Sequence, residues 1–531
     1  MGLYLNPGND AFAISIYDDI YIDKTNLIDF TNSRIGKRKR YLCISRPRRF
    51  GKSMTAEMLT AYYSRECDSR DLFKNCKISK SASFQEHLNQ YNVLSLNIQQ
   101  LLSGAGSTPN LVSYIQTEVI KELKEAYGQY IQENETRLSK ALELIYTKNQ
   151  EKKRGFIFVL DEWDCIFREA ASDEDAQRVY LDFLRDLFKD RTYVAMAYMT
   201  GILPIKKYGT HSALNIFDEL SMTNGGKCAE YVGFTESEVK NLCKKYKMDF
   251  SEAQRWYDGY QFKSLLHIYN PKSVVDAMLE EEFHSYWTST ETYEALKVYI
   301  DMNFDGLRDS IINMLGGGRC VIDTGTFQND MTSFKSKDNV LTLLVHLGYL
   351  GYDEESKEVF IPNEEVRSEF VRAVRNGGWD EVAKAIDESE RLLNATLQQN
   401  ADEVAKGIDR IHMENTSILA YNDENSLSCV ITLAYYSARR DYLIMRELPA
   451  GKGFADVVFI PRKNCDKPTI IVELKWNDLV ENAVSQIKNR KYDSVLKEYV
   501  GEVLLVGIDY DKKTKKHTCI IEKVKHGNKE E

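Results

Sequence analysis

The sequence predicts an α/β chain of several domains. A parallel sheet flanked by helices comes first, then a mainly helical middle, then a smaller α/β domain on a mixed sheet. Three observations predict this. Over residues 20–225, short apolar runs alternate with longer amphipathic segments, the pattern of βαβ units. From about 233 to 385 helical periodicity takes over, closing with an apolar helix (Val340–Tyr349) and a hairpin (350–353 and 359–362), the shape of a winged-helix unit. The last third reads helix (Ser426–Ala438), strands near Tyr442–Leu448, Phe454–Ile460 and Thr469–Leu474, helix (478–492), strand (Glu502–Val506). That αβββαβ order is the core of restriction-endonuclease-like folds. At 531 residues the chain has room for about three or four domains. The expected divisions are 1–230, 231–390 and 391–531.

In the first segment, the runs Tyr41–Ser45, Val93–Ile98, Phe156–Leu160 and Tyr193–Met199 are read as buried strands. The first leads through Arg46–Arg49 into Phe50-Gly51-Lys52-Ser53, after which MTAEMLTAYYS reads as a helix. In a P-loop, backbone N–H groups and a helix N-terminus hold phosphates, a Lys reaches the terminal phosphates and a Ser or Thr hydroxyl binds Mg²⁺. Lys52 and Ser53 fill those roles, and Gly51 allows close backbone approach. The pattern departs from G-x-x-x-x-G-K-[ST] at its first glycine, where this chain has Arg46.

The run Phe156–Leu160 ends in Asp161 and Glu162. A buried parallel strand delivers its C-terminal residues to the ligand crevice. There Asp161 is expected to hold Mg²⁺ through water and Glu162 to polarise the attacking water. Asp164 is a further metal or partner contact on this reading. Tyr193–Met199 ends in Thr200, for which two readings stand, a γ-phosphate sensor or a helix N-cap.

These residues carry a resemblance. YIDKT (21–25), RPRRFGKSM (46–54), VLDEWD (159–164) and MTGILPI (199–205) resemble the bacterial AAA-ATPase-like family whose members end in a PD-(D/E)XK nuclease domain. GFTESEV (233–239), WYDGYQF (256–262) and IYNPKSV (268–274) are similar to that family's middle segment. The family's own loop lacks the first glycine, so Arg46 is no departure from it. The resemblance implies an ATP-binding P-loop NTPase, nucleotide-regulated nucleic-acid processing, and defence against mobile DNA.

Residues 34–52 contain nine Lys or Arg and no acid. Arg46, Arg48 and Arg49 are read as local phosphate contacts, the alternative being the γ-phosphate of a neighbouring protomer in a homo-oligomer. Lys37–Arg40 are read as a solvated turn or a nucleic-acid backbone contact. The hairpin loop Asp353–Lys357 is mostly acidic, wrong for phosphate. The middle segment is therefore read as a lid relaying nucleotide state, with WYDGYQF as a buried aromatic joint rather than a base-stacking platform.

In the last segment, Asp456 and Glu473 lie on consecutive strands and are expected to converge on Mg²⁺, with Lys475 on the face of Glu473 by period-two alternation. Phosphodiester hydrolysis needs hard oxygen ligands, an activated water and a cation near the developing charge. Glu122/Lys124 and Glu238/Lys240 share the E-x-K spacing, but lie in helical segments where i and i+2 face apart. The resemblance adds Gln486 and Glu424 to the site, while Tyr492 and Glu447 are read as packing and as a strand end.

Composition bounds the rest. Seventy basic against eighty acidic residues give a net charge of −10, which excludes a globally basic nucleic-acid binder. Residues 401–531 carry twenty-one of each sign, so all of the excess lies earlier in the chain. Ten cysteines without a C-x-x-C read as reduced thiols and exclude a structural zinc. No run approaches a membrane span and no secretory signal opens the chain, so the expected setting is cytoplasmic. The expected cofactors are ATP and Mg²⁺, and the expected partner is nucleic acid, DNA in the first instance. The rival reading is a nucleotide-dependent signalling or scaffold ATPase whose nuclease-like domain binds nucleic acid or protein without cutting.

Overall fold

The computed structural model describes residues 2–149, 154–205, 214–287, 293–302, 304–328, 331–332, 334–377, 379–415, 431–450, 453–462, 465–477, 479–489 and 501–526. The chain divides into two compact units, Met1–Thr290 with Val321–Val366, and Glu291–Cys320 with Arg367–Glu531.

The first unit is built on β1 (Tyr41–Ser45), β2 (Asn92–Asn97), β3 (Phe156–Asp161), β4 (Val194–Gly201) and β5 (Asp218–Leu220), in the order β2-β3-β4-β1-β5. Every pairing is parallel. All residues of β1, β3 and β4 are buried. This is why they read as unbroken apolar runs: a strand covered on both faces has no solvent side for polar residues. The register sets Asn97 beside Asp161, Asp161 beside Thr200, and Ser45 beside Gly201. Four strand ends thus share one row, the edge at which open α/β sheets bind ligands.

After β5 the helices Glu236–Tyr246, Phe250–Tyr257 and Pro271–Glu280 follow. Each starts on a residue able to take up orphan N–H groups. Thr235 forms a capping box with Glu238, and the Asp249 and Asn270 side chains accept backbone N–H bonds. Their apolar faces, with Val239, Leu242, Ala253 and Val274, pack against Phe234 and Ile20. The segment is less purely helical than its periodicity predicts. Phe234–Thr235, Leu265–Tyr269 and Tyr260–Phe262 form a three-stranded antiparallel sheet. Strands of two to five residues are too short to show a period.

The expected aromatic joint lies here. Tyr257, Tyr260 and Phe262 are buried, Tyr260 donates to the Gly348 carbonyl at 2.7 Å, and its ring meets Phe50 edge-on at 5.2 Å. The helix Lys337–Leu347 precedes an antiparallel hairpin, Gly351–Asp353 with Glu358–Phe360. Its turn is closed by Asp353, whose carboxylate accepts from the N–H groups of Glu355 and Ser356.

The second unit carries β6 (Tyr442–Ala450), β7 (Gly453–Pro461), β8 (Thr469–Trp476), β9 (Gly501–Asp511) and β10 (Lys516–His526), ordered as in sequence. Only β8–β9 is parallel, and the helix Val480–Asn489 makes that crossover. Val458, Ile471, Val503 and Leu505 meet Val484 and Ile487 of this helix in the core. The sequence pattern missed β10. It is an edge strand paired along its length with β9, and its lysines make it read as a charged tail. Of the expected helix Ser426–Ala438, residues up to 430 lie outside the described residues, and Tyr436–Arg440 is a 3₁₀ turn. No described helix is long and apolar enough to cross a membrane. The nine described cysteines are free thiols.

Candidate active sites

The first site grows out of β1. Beyond Ser45 the chain turns through Arg49 (φ 68°) and Gly51 (φ 86°) and enters the helix Lys52–Tyr63. Gly51 occupies the left-handed region open to residues without a side chain. The turn and the start of the helix border a cavity of about 430 Å³, lined by Arg48, Arg49, Gly51, Lys52, Ser53 and Glu162 among others. Lys52 is buried and donates to the Pro47 carbonyl at 2.9 Å. Burial pushes its ammonium below the ordinary value, opposed by Glu162, Asp164 and Asp161.

Ser53 donates to Asp161 at 2.7 Å, and Asn97 donates to the same carboxylate oxygen at 3.3 Å. Burial raises the Asp161 carboxyl, and the Ser53 hydrogen bond pulls it back. Burial likewise raises Glu162, against the pull of Lys52 and Arg168. Glu162 stands at φ 52°, its carboxylate paired with Arg168. Among the described residues no three His, Cys, Asp or Glu side chains gather into a metal cage. A phosphate-bound Mg²⁺ does not need one, since one hydroxyl and one carboxylate suffice with water and phosphate oxygens. The Ser53–Asp161 pair fits that requirement.

Three sequence readings change here. Asp164 is fully buried and accepts the N–H groups of Ile202 and Leu203 at 3.1 and 2.7 Å, so it ties the loop after β3 to the chain leaving β4. Thr200 caps no helix: it is a buried residue of β4 whose hydroxyl donates to the Ile44 carbonyl at 3.1 Å. Arg46 is fully buried, donates to the carbonyls of Ser45 and Leu220, and lies over the Phe262 ring at 4.5 Å. It therefore reaches neither this chain's phosphate cavity nor a neighbour's. Burial brings its guanidinium down to about 10.

Behind the cradle, Glu365 accepts from Ser273 Oγ at 2.9 Å and from the N–H groups of Tyr286 and Trp287 at 2.8 and 3.0 Å. The Tyr286 carbonyl in turn accepts from Arg49 at 3.3 Å. Burial raises the Glu365 carboxyl to about 7 despite these bonds. On the other side of Gly51 a second cavity of about 430 Å³ opens between apolar walls that include Ile20, Ile22, Phe50, Met54, Phe234 and Leu279. Arg49, Gly51 and Met54 line both cavities, so the two adjoin at the loop, one mostly apolar and the other cationic.

The second site lies on β8. Glu473 is buried, accepts from Gln486 Nε2 and has Lys475 Nζ at 3.7 Å, while Lys475 donates to Gln486 Oε1 at 2.6 Å. The two strand residues and the helix residue close a triangle. Gly507, beside Glu473 in the parallel ladder, lies under the helix: a Cβ there would stand 2.9 Å from Val484, and 3.0 Å from Ala483 and from the Val480 carbonyl. The β7–β8 ladder pairs Val457 with Val472, the chain neighbours of Asp456 and Glu473. The Asp456 and Glu447 side chains, and Glu424 and Tyr492 altogether, lie outside the described residues. The two other E-x-K pairs are indeed on helices. Glu122 accepts the N–H groups of Leu3, Tyr4 and Leu5, and Glu238 belongs to the capping box.

Sequence reasoning missed Asn97, Gln99 and Arg168. Asn97 ends a strand and carried no signal. Gln99 lies on the helix Ile98–Ala105, and Arg168 on the short helix Cys165–Glu169 seven residues after Asp161; both line the phosphate cavity.

A parallel sheet with a phosphate-type loop after its first strand, followed by a mixed sheet bearing a buried glutamate beside a half-buried lysine, defines a chain with a nucleotide-type domain and a nuclease-type domain. Family models agree. Residues 10–210 match the predicted AAA-ATPase family, and residues 422–519 match the PD-(D/E)XK nuclease superfamily. The chain therefore carries an AAA-ATPase-like domain and, toward its C-terminus, a PD-(D/E)XK nuclease superfamily domain. An uncharacterized protein in the vnfD 5′ region of Azotobacter chroococcum mcd 1 is 25% identical over 284 residues, 52% of this chain and 51% of the relative. The match thus spans about half the length of that curated relative. Among solved structures, the Aeropyrum pernix ORC2 protein in its ADPNP–ADP complexes aligns at 12% identity and TM-score 0.24, over 68% of this chain and 98% of that one. CDC6P from Pyrobaculum aerophilum aligns at 10% and 0.24, over 68% and 97%. Overlaps this slight carry no argument.

Proposed function

We propose that the chain joins an ATP-binding and ATP-hydrolysing module to a metal-dependent nuclease that cuts DNA phosphodiesters. The observation that carries the reading is the Ser53–Asp161 hydrogen bond beside buried Lys52, where a cationic cavity adjoins a mostly apolar one. The apolar cavity suits a purine base. The N–H groups opening the helix Lys52–Tyr63 suit the phosphates. On binding, Lys52 exchanges the Pro47 carbonyl for a terminal phosphate oxygen. Glu162 orients the water that attacks the γ-phosphorus, the bond to the bridging oxygen breaks, and ADP leaves with the electron pair.

In the second domain Glu473 and Asp456 supply hard oxygen ligands, Lys475 steadies the developing charge on the phosphate, and Gln486 holds both side chains in place. Mg²⁺, when bound at Ser53–Asp161 or at Asp456–Glu473, supplies positive charge against phosphate oxygens. The nucleotide state of the first domain gates cutting by the second, a logic suited to defence against mobile DNA. The test is a nicking panel on plasmid, single-stranded DNA and RNA, with and without Mg²⁺ and ATP. Metal-dependent nicking of plasmid that disappears in Asp456→Ala and in Glu473→Ala is the expected result. Cleavage persisting in the double variant overturns the site, and metal-dependent cleavage of RNA alone overturns the substrate.

A further inference from the structure

Arg168 lines the cavity at Lys52 and Ser53 and is shared between two carboxylates. Its Nε lies 3.2 Å from Asp164, and its Nη2 pairs with Glu162. The two partners differ. Asp164 is fully buried and fixed by two backbone N–H groups, so it is an immovable anchor. Glu162 sits on a left-handed backbone step, is partly exposed, and lines the same cavity. Left-handed non-glycine residues cost energy and persist where surrounding structure imposes them. A carboxylate engaged with a guanidinium is also a poor acceptor for the proton of an attacking water. Arg168 therefore holds in check the group the hydrolysis needs, while standing where an anionic phosphate would arrive.

We propose that Arg168 is a nucleotide-sensing positioning residue. In the nucleotide-free chain it latches Glu162. When a nucleoside triphosphate fills the cavity it pivots on Asp164, contacts the terminal phosphate, and leaves Glu162 to the water. A diphosphate lacks the γ-phosphate, so the latch stays closed and the chain distinguishes ATP from ADP. This rests on the ATP-binding reading of the cavity and adds to it the residue that reads the third phosphate. Arg suits the task better than Lys, because a planar fork can keep one carboxylate while exchanging another oxygen partner.

The test uses the full chain with Mg²⁺ and fluorescent ATP and ADP analogues, comparing wild type with Arg168→Gln, Arg168→Lys and Lys52→Ala. Wild type is expected to prefer ATP to ADP by about tenfold or more, the scale of one charge-assisted contact. Arg168→Gln should keep ADP affinity within about twofold while the preference collapses to about threefold or less, and turnover should fall with it. Arg168→Lys should restore part of the preference, and it decides the matter should the Gln variant not fold. A wild-type ratio in a folded Gln variant, or in the Lys variant where Gln fails to fold, overturns the inference and leaves the ATP reading standing. Failure of wild type to bind either nucleotide overturns both, and unchanged binding by Lys52→Ala would place the nucleotide elsewhere and overturn both as well.

Discussion

The two candidate sites are built in different ways. The cradle at the end of β1 and β3 is cross-tied before any ligand arrives. Ser53 and Asn97 hold Asp161, Asp164 is fixed by backbone, Arg168 holds Glu162, and Lys52 rests on Pro47. The site on β8 is a triangle in which a buried glutamate meets a lysine on its own strand and an amide on the crossover helix. The difference follows from the sheets. A parallel sheet presents several strand ends in one row, so many side chains converge there at once. The β8 site instead takes two residues from one face of a single strand, with the crossover helix bringing Gln486 to them. The first arrangement yields a site whose charges are mutually compensated. In the second, two residues of one strand and one of a helix make up the described contacts.

That contrast can be broken by experiment. The sharpest break is at the triangle. Glu473→Ala or Asp456→Ala should lower metal-dependent cleavage by about a thousandfold or more, an effect of about 4 kcal/mol on the barrier. The same variants should leave ATP affinity, measured by calorimetric titration, within about twofold. A comparable loss of nucleotide binding would show that the sites are not separable.

Next in size is the acid behind the cradle. The Glu365 carboxyl is raised to about 7 in the folded chain from an ordinary value near 4.5. The folded state therefore binds the extra proton between those values, so its stability falls as pH rises from about 4.5 to about 7. The loss relative to Glu365→Gln should approach about 3 kcal/mol. Urea midpoints of wild type and variant measured across that window test it, and parallel curves would refute it.

Third, Lys52→Ala should cost about a hundredfold in ATP affinity, about 2.7 kcal/mol, in the same titration. The smallest effect is at Arg46. A buried guanidinium without a carboxylate partner is costly to desolvate, so Arg46→Met should change stability by about 1 kcal/mol or less in chemical unfolding. A large loss would mean that its bonds to Ser45 and Leu220 outweigh its burial.

Much of this was legible in the sequence, for identifiable reasons. β1, β3 and β4 were visible because complete burial writes itself as an apolar run; Asp161 and Glu162 stood out at the end of such a run, and Lys52 and Ser53 in the Gly-Lys-Ser step between strand and helix. Glu473 and Lys475 were separable from Glu122/Lys124 because only the former pair lies on a strand. What stayed hidden depends on contacts between elements distant in sequence. Arg168 sits among ordinary charges on a five-residue helix, and only the fold brings it to Glu162. Arg46 looked like a phosphate ligand because its neighbours are cationic, whereas its side chain turns inward to Phe262, a residue 216 positions away. β10 was invisible because an edge strand with one solvated face resembles a tail.

The absent side chain at Gly507 acts as a spacer. With no Cβ under the helix Val480–Asn489, the helix settles onto β9 at a height that bare backbone permits, and at that height Gln486 spans the gap to both Glu473 and Lys475. The alignment of the second site is thus set from beneath, by a residue with no chemistry of its own. One methyl group inserted there would act as a shim, raising the helix and drawing Gln486 off the two ions while altering none of the three side chains.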